Sequence, residues 1–206
     1  MLAEKTLLLF SGGLDSTALA CTLRPNLLFV DYGQLSAEAE ALATQRIASM
    51  LELPLTRIDL GIASLGSGLL SGSPQLTSAP TPEWWPFRNQ FLATAAAVIA
   101  LRLDCSHVAL GSVRTDGERH RDGTSEFYQL LDKLMSYQEG AVHVTAPAVQ
   151  STTGQLLQAS DFDQELIPLT YSCHRANQPC GECPGCWKRD EVLAAIGRRG
   201  YGFIAT

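Results

Sequence analysis

The sequence predicts an α/β protein built on a parallel sheet, and three features carry that expectation. Continuous apolar runs of strand length alternate with helix-compatible stretches, the first run ends directly in a glycine turn, and four of the six cysteines cluster after the alternation has ended. Strands that are apolar on both sides suit a sheet covered by helices on both faces.

Taken in order, Lys5–Phe10 is the first predicted strand, Ser16–Leu23 the first helix and Leu27–Asp31 the second strand. Ala37–Leu51 reads as a helix, Leu55–Leu60 as a strand, Asn89–Leu103 as a helix and His107–Gly111 as a strand. Glu126–Gln138 is expected to be helical, Val142–Ala146 extended, Gly154–Ser160 helical, Ile167–Thr170 a short strand and Trp187–Arg198 the closing helix. Two stretches break the rhythm. Gly61–Pro86 is rich in Gly, Ser and Pro and carries Trp84–Trp85; it reads either as a disordered surface loop or as a flap whose tryptophans cover the site or a second subunit. Arg114–Thr124 reads as a polar loop just past a strand, where open parallel sheets bind ligands.

With 46% hydrophobic and 17% charged residues among 206, the chain can build one sizeable core. The net charge of −6 argues against nucleic-acid binding driven by phosphate neutralisation. Met1–Phe10 lacks the features of a signal peptide, and Phe91–Leu103, broken by Arg102, is too short to span a bilayer, so a soluble cytoplasmic protein is expected.

The turn Ser11-Gly-Gly-Leu-Asp-Ser16 joins the first strand to the first helix. Gly12 and Gly13 permit close backbone approach to an anion, Ser11 and Ser16 add hydroxyls, and the helix N-terminus favours negative charge. Asp15 would repel phosphate, and makes sense as a helix cap or as a magnesium ligand. A tight β–α turn with no ligand is the plain alternative. No Gly-Lys-Ser/Thr ends the turn, so it is not a Walker A loop.

Cys173, Cys180, Cys183 and Cys186 follow the spacing x6, x2, x2 with prolines and glycines between them. Four thiolates at such spacing suit a tetrahedral zinc with no open position, hence a structural one; an iron–sulfur cluster is the competitor. His174 could replace a cysteine, but solvent exposure is expected for it, and Cys21 and Cys105 are expected in the core.

The Ser11–Ser16 turn resembles the pyrophosphate loop of the nucleotide α-hydrolases, a HUP-like, Rossmann-like superfamily that cleaves ATP to AMP and pyrophosphate. With Asp31-Tyr-Gly-Gln34, Pro86-Phe-Arg-Asn89, Tyr171-Ser-Cys173 and the cysteine cluster, the chain is similar over nearly its whole length to the 7-cyano-7-deazaguanine synthases. The resemblance implies an ATP-binding α/β domain over residues 1–170 and a zinc-binding segment with a C-terminal helix over 171–206. It implies ATP contacts from Ser11, Gly12, Gly13, Asp15, Ser16, Val30, Tyr32 and Gly111. Substrate contacts would come from Gln34, Phe87, Arg88, Asn89, Asp116, Asp122 and Phe127. Asp15, Arg88 and Asp122 would be catalytic, with Arg88 pairing with a carboxylate or the α-phosphate; a surface salt bridge is its bland alternative. Asn89 could simply cap the helix that starts there. ATP, Mg²⁺ and structural Zn²⁺ are the implied cofactors, and a homodimer the implied assembly. The implied reaction is adenylation of 7-carboxy-7-deazaguanine, amide formation with ammonia, and dehydration to the nitrile with a second ATP.

The departures lie mostly around the substrate. The family's Pro-Asp-Cys-Arg is here Arg121-Asp122-Gly123-Thr124, its Arg-His after the glutamine is Leu35-Ser36, and a usual lysine lines up with Thr153. Arg114, Arg119, His120 and Arg121 are candidates to replace the missing cation, a solvated basic loop being the alternative. Three functions follow: nitrile synthesis for queuosine-type tRNA modification, conjugation of the base to a protein amine as in relatives associated with antiviral defence, or a silent nucleotide-binding module.

Overall fold

The computed structural model describes residues 5–197. Five parallel strands form one sheet in the order β3-β2-β1-β4-β5: β1 (Thr6–Leu9), β2 (Asn26–Asp31), β3 (Leu55–Asp59), β4 (His107–Ala109) and β5 (His143–Thr145). Side chains alternate across the pleat, so neighbours on one strand feed opposite cores. Leu7 and Leu28 join the face covered by α3 (Arg88–Arg102) and α5 (Ser125–Tyr137). Leu8 and Leu27 join the face covered by α1 (Leu14–Leu23) and α2 (Ala37–Leu51). Ala93, Ala96, Ala97 and Ala100 let α3 lie close against the sheet. Cys21 and Cys105 are buried.

The chain runs outward from β1 through β2 to β3, then returns to place β4 on the other side of β1. The switch point therefore falls between the carboxyl ends of β1 and β4, where an open parallel sheet leaves a crevice. The glycine turn stands at that point.

Three predicted elements differ from the fold. Ile167–Thr170 is no strand; Gln164–Leu169 is a 3₁₀ turn, where Pro168 supplies no ladder donor. Arg114–Thr124 is not an open loop but α4 (Arg114–Arg119) followed by a 3₁₀ turn, Arg121–Gly123. Gly61–Pro86 is ordered by an antiparallel bridge, Gly68 to Ser73, and by Trp85, which is 2% exposed and meets Tyr32 edge-on at 5.0 Å. Its Glu83 is clamped by Arg119 and His120.

After α6 (Thr153–Ala159), the C-terminal segment returns to the glycine turn and ends the described chain with α7 (Pro184–Ala195). Tyr171 N donates to the Gly12 carbonyl at 2.9 Å, and Asn177 bonds Ala39 N and Glu38 at the start of α2. The last residues of the predicted closing helix, with Arg198, lie outside the described residues. None of the described helices is long and apolar enough to cross a membrane.

Candidate functional site

The turn after β1 is shaped by glycine. Gly12 has φ +72°, and a Cβ there would come within 2.9 Å of the Ala43 Cβ and 3.1 Å of the Thr44 backbone nitrogen. Gly13 is the N-cap of α1 with no side chain over the helix end, which leaves the first N–H groups for a ligand. Ser11 and Ser16 hydroxyls approach to 3.3 Å, and Thr17 Oγ1 donates to the Gly13 carbonyl at 2.7 Å, tightening the first turn. Gly111, past β4, packs on Ser16, its missing Cβ 3.4 Å away. Asp15 lies inside the helix and does not cap it; its Oδ2 accepts from Lys188 Nζ at 3.1 Å. Burial pushes the Asp15 carboxyl up while Lys188 draws it down, and the net direction is up.

An open cleft of about 300 Å³ extends from this turn along the ends of β1, β2 and β4. Ser11, Gly13, Asp15, Ser16, Val30, Tyr32, Arg88, Asn89, Gly111 and Asp116 all line it. Burial pushes the Tyr32 phenol to about 12, against the pull of Arg88. Arg88 makes no ion pair with a carboxylate among the described residues; its Nε contacts Asn89 Oδ1 at 3.4 Å. Phe87, not Asn89, is the N-cap of α3; Asn89 is buried and donates to the Asp122 carbonyl at 2.9 Å. Gln34 turns inward, accepting from Tyr32 N and donating to Glu40 at 2.9 Å.

Glu40 and Lys188 are among the cleft residues that the sequence reading did not assign to the site. Glu40 lines the cleft from α2, held by Ser36 at 2.7 Å, and burial raises its carboxyl above the usual range. Lys188 enters from α7 and joins Asp15 to Asp116, 3.2 Å away. Neither follows a motif, since each reaches the cleft through packing between distant segments. His174 also lines the cleft rather than solvent, and burial lowers its imidazole to about 4. Asp15 Oδ1, Thr153 Oγ1 and His174 Nδ1 are buried there without a hydrogen bond of normal geometry.

Phe87, Asp122 and Phe127 line a neighbouring cavity of about 570 Å³, shared with Trp84, Arg119, His120 and Arg121. Phe87 adopts φ +56° and is 69% exposed, an unusual conformation for an aromatic residue. The basic residues of α4 and its turn do not enter the cleft by the glycine turn. Arg114 pairs with Glu118, while Arg119 and His120 hold Glu83; despite its burial, these bonds take the Glu83 carboxyl down to about 2.

The sulfurs of Cys173, Cys180, Cys183 and Cys186 all lie within 4.8 Å of one another. A tetrahedral zinc with Zn–S of ~2.3 Å needs S···S edges of ~3.8 Å. Cys183 stands 3.9 Å from Cys173 and 3.6 Å from Cys186, so the cluster could hold zinc. Backbone N–H groups of His174, Arg175 and Glu182 point at three of the sulfurs. Such donors stabilise thiolates.

Comparison with known proteins agrees with this geometry. The chain is 29% identical over 204 residues to 7-cyano-7-deazaguanine synthase 1 of Desulfitobacterium hafniense, covering 92% of this chain and 91% of that protein. It is 27% identical to the 7-cyano-7-deazaguanine synthase of Campylobacter jejuni strain 81116, over 95% of this chain and 96% of that protein. Among solved structures, the U34-tRNA thiolase NcsA of Methanococcus maripaludis, with its [4Fe-4S] cluster, shares the fold: TM-score 0.54 at 15% identity, covering 93% of this chain but 65% of that longer one. The family described as queuosine biosynthesis protein QueC matches residues 5–197, and the chain belongs to that family.

Proposed function

We propose that this chain adenylates the carboxylate of a 7-deazaguanine base, 7-carboxy-7-deazaguanine, and passes it to ammonia, forming the amide and then 7-cyano-7-deazaguanine. The observation that carries the reading is the uncapped glycine turn at the switch point, opening into one cleft with Arg88. In this reading the turn holds the departing pyrophosphate, a carboxylate oxygen attacks the α-phosphorus, and Arg88 orients the two anions. The amine nitrogen then attacks the acyl carbon and AMP leaves; a second ATP adenylates the amide oxygen, which departs with AMP as the nitrogen loses its protons and the nitrile forms. Asp15, with one oxygen buried and no hydrogen bond of normal geometry to it, suits a Mg²⁺ that would neutralise the phosphates. Zinc on the four cysteines would fix the C-terminal segment against the turn.

Asp122, Phe87 and Phe127 are assigned to the base and Val30 and Tyr32 to adenosine, because they line adjoining cavities. Asp116, which bonds Val113 N and Lys188, lines the cleft and is assigned to the substrate. Exposed Phe91, Val98 and Leu101 on α3, with Leu130 and Leu134 on α5, support a second copy as the cover of that face. A second reading, transfer of the base to a protein amine, draws support from the same cavity around Asp122, whose opening to the surface would admit an acceptor side chain beside the base.

The test is incubation with ATP and 7-carboxy-7-deazaguanine, with and without ammonia, followed by mass spectrometry of small molecules and protein. AMP, pyrophosphate and a nitrile or amide are expected. ADP as the main product would overturn the adenylating reading, and a base-sized mass added to protein would favour the second one.

A further inference from the structure

Lys188 is the one lysine that lines the cleft among the described residues, and its position is fixed from two sides. It lies on α7, whose first turn contains the buried Cys186. The next residue, Arg189, is buried and bonds the Ile167 carbonyl and Thr170 Oγ1. These anchors aim Lys188 at the glycine turn, where it meets Asp15 at 3.1 Å and Asp116 at 3.2 Å while its side chain stays 37% exposed. The other cations have other tasks. Arg88 lines the cleft beside Tyr32 and is assigned to the α-phosphate and carboxylate, Arg189 holds the 3₁₀ turn before the cysteines, and Arg119 and His120 hold Glu83.

Beside Lys188, Asp15 Oδ1 and Thr153 Oγ1 are both buried, and the contact between the two side chains falls short of normal hydrogen-bond geometry. Buried polar atoms held this poorly mark a place where a ligand group can complete the network. A triphosphate entering the turn brings several negative charges next to two carboxylates, which is unfavourable unless a cation moves onto it. We propose that Lys188 is that cation: it leaves the two aspartates, contacts the pyrophosphate end of ATP, and supplies from α7 the positive charge that Thr153 lacks. The assignment rests on the adenylating reading above and adds a catalytic residue to it. It also explains how a chain with threonine at position 153 can keep an intact pyrophosphate turn.

The probe is inorganic pyrophosphate with Mg²⁺, titrated calorimetrically into the zinc-loaded protein, alongside steady-state kinetics and binding of the base. K188M and K188Q should weaken pyrophosphate binding at least ~10-fold and lower kcat/KM for ATP by ~10²-fold, leaving binding of the base unchanged. K188R should retain most of the binding. The double variant T153K/K188M should recover it, since a lysine at 153 opens into the same cleft. Zinc content and melting temperature are measured in each variant. Pyrophosphate binding at the wild-type level in K188M overturns the proposal. So does failure of both K188M and K188Q to fold or to keep zinc, which would make Lys188 a structural strut. Wild-type protein that binds pyrophosphate but forms no AMP would remove the adenylating reading while leaving the Lys188 assignment in place.

Discussion

Glu83 pins the long segment between β3 and α3 to α4, and replacing it by glutamine tests what that pin contributes. The side chain is 7% exposed and accepts from Arg119 Nε at 3.0 Å and from Arg119 Nη2, with His120 Nε2 at 3.5 Å. A charge-assisted hydrogen bond contributes ~1.5–3 kcal/mol. Arg119 is half-exposed and partly screened, so E83Q should cost ~2 kcal/mol at neutral pH. For a domain of this size that is a melting temperature lower by ~4–8 °C. The sign with pH follows from the depressed carboxyl, about 2 against an ordinary 4.5. The stabilisation is fully present above pH 4.5 and is lost as the pH falls through about 2. Chemical denaturation of wild type and E83Q between pH 7 and pH 2.5 measures the gap, and limited proteolysis reports on residues 61–86. A gap that stays constant down to pH 2.5, or no gap at neutral pH, would refute the reasoning.

The other expectations concern the metal and the substrate wall. Elemental analysis should find one zinc per chain, with Cys180→Ser lowering both zinc content and melting temperature, because binding energy is folding energy in such a cluster; iron with visible absorbance would contradict it. Asp122→Ala should weaken use of the base by ~1–3 kcal/mol and leave ATP affinity unchanged, as measured by KM for each substrate; equal losses would mark Asp122 as structural. Gly123→Cys, the family residue, should destabilise by ~1–3 kcal/mol in a denaturation experiment, because its Cβ would lie 2.8 Å from the Asp116 carbonyl carbon and 2.9 Å from Gly117 N. A neutral G123C would mean that the turn after α4 yields easily.

That last position shows where local sequence stops being informative. The apolar runs at Leu7–Leu9 and Leu27–Val30 announce buried parallel strands because burial on both faces leaves no polar alternation, and the cysteine spacing announces its cluster. Ile167–Leu169 is just as apolar, yet Pro168 and the return of the chain make it a 3₁₀ turn. Trp85 has the composition of a loop around it, yet it is buried in the core against Tyr32. Lys188 and Glu40 are ordinary surface letters in the sequence. Their positions in the cleft come from α7 and α2 meeting the turn after β1, and no spacing rule along the chain encodes such a meeting.

The hydrogen bond from Tyr171 to the Gly12 carbonyl also sets an order of events during biosynthesis. A nascent chain that has left the ribosome through β5 already owns every described strand of the sheet, yet its glycine turn still lacks the backbone donor that Tyr171 brings to Gly12. The partner arrives only with the later segment that carries the cysteines. Long-range closures of this kind form late because loop entropy must be overcome first. The glycine turn should therefore reach its final shape only after the sheet has formed, which hydrogen exchange during refolding can time.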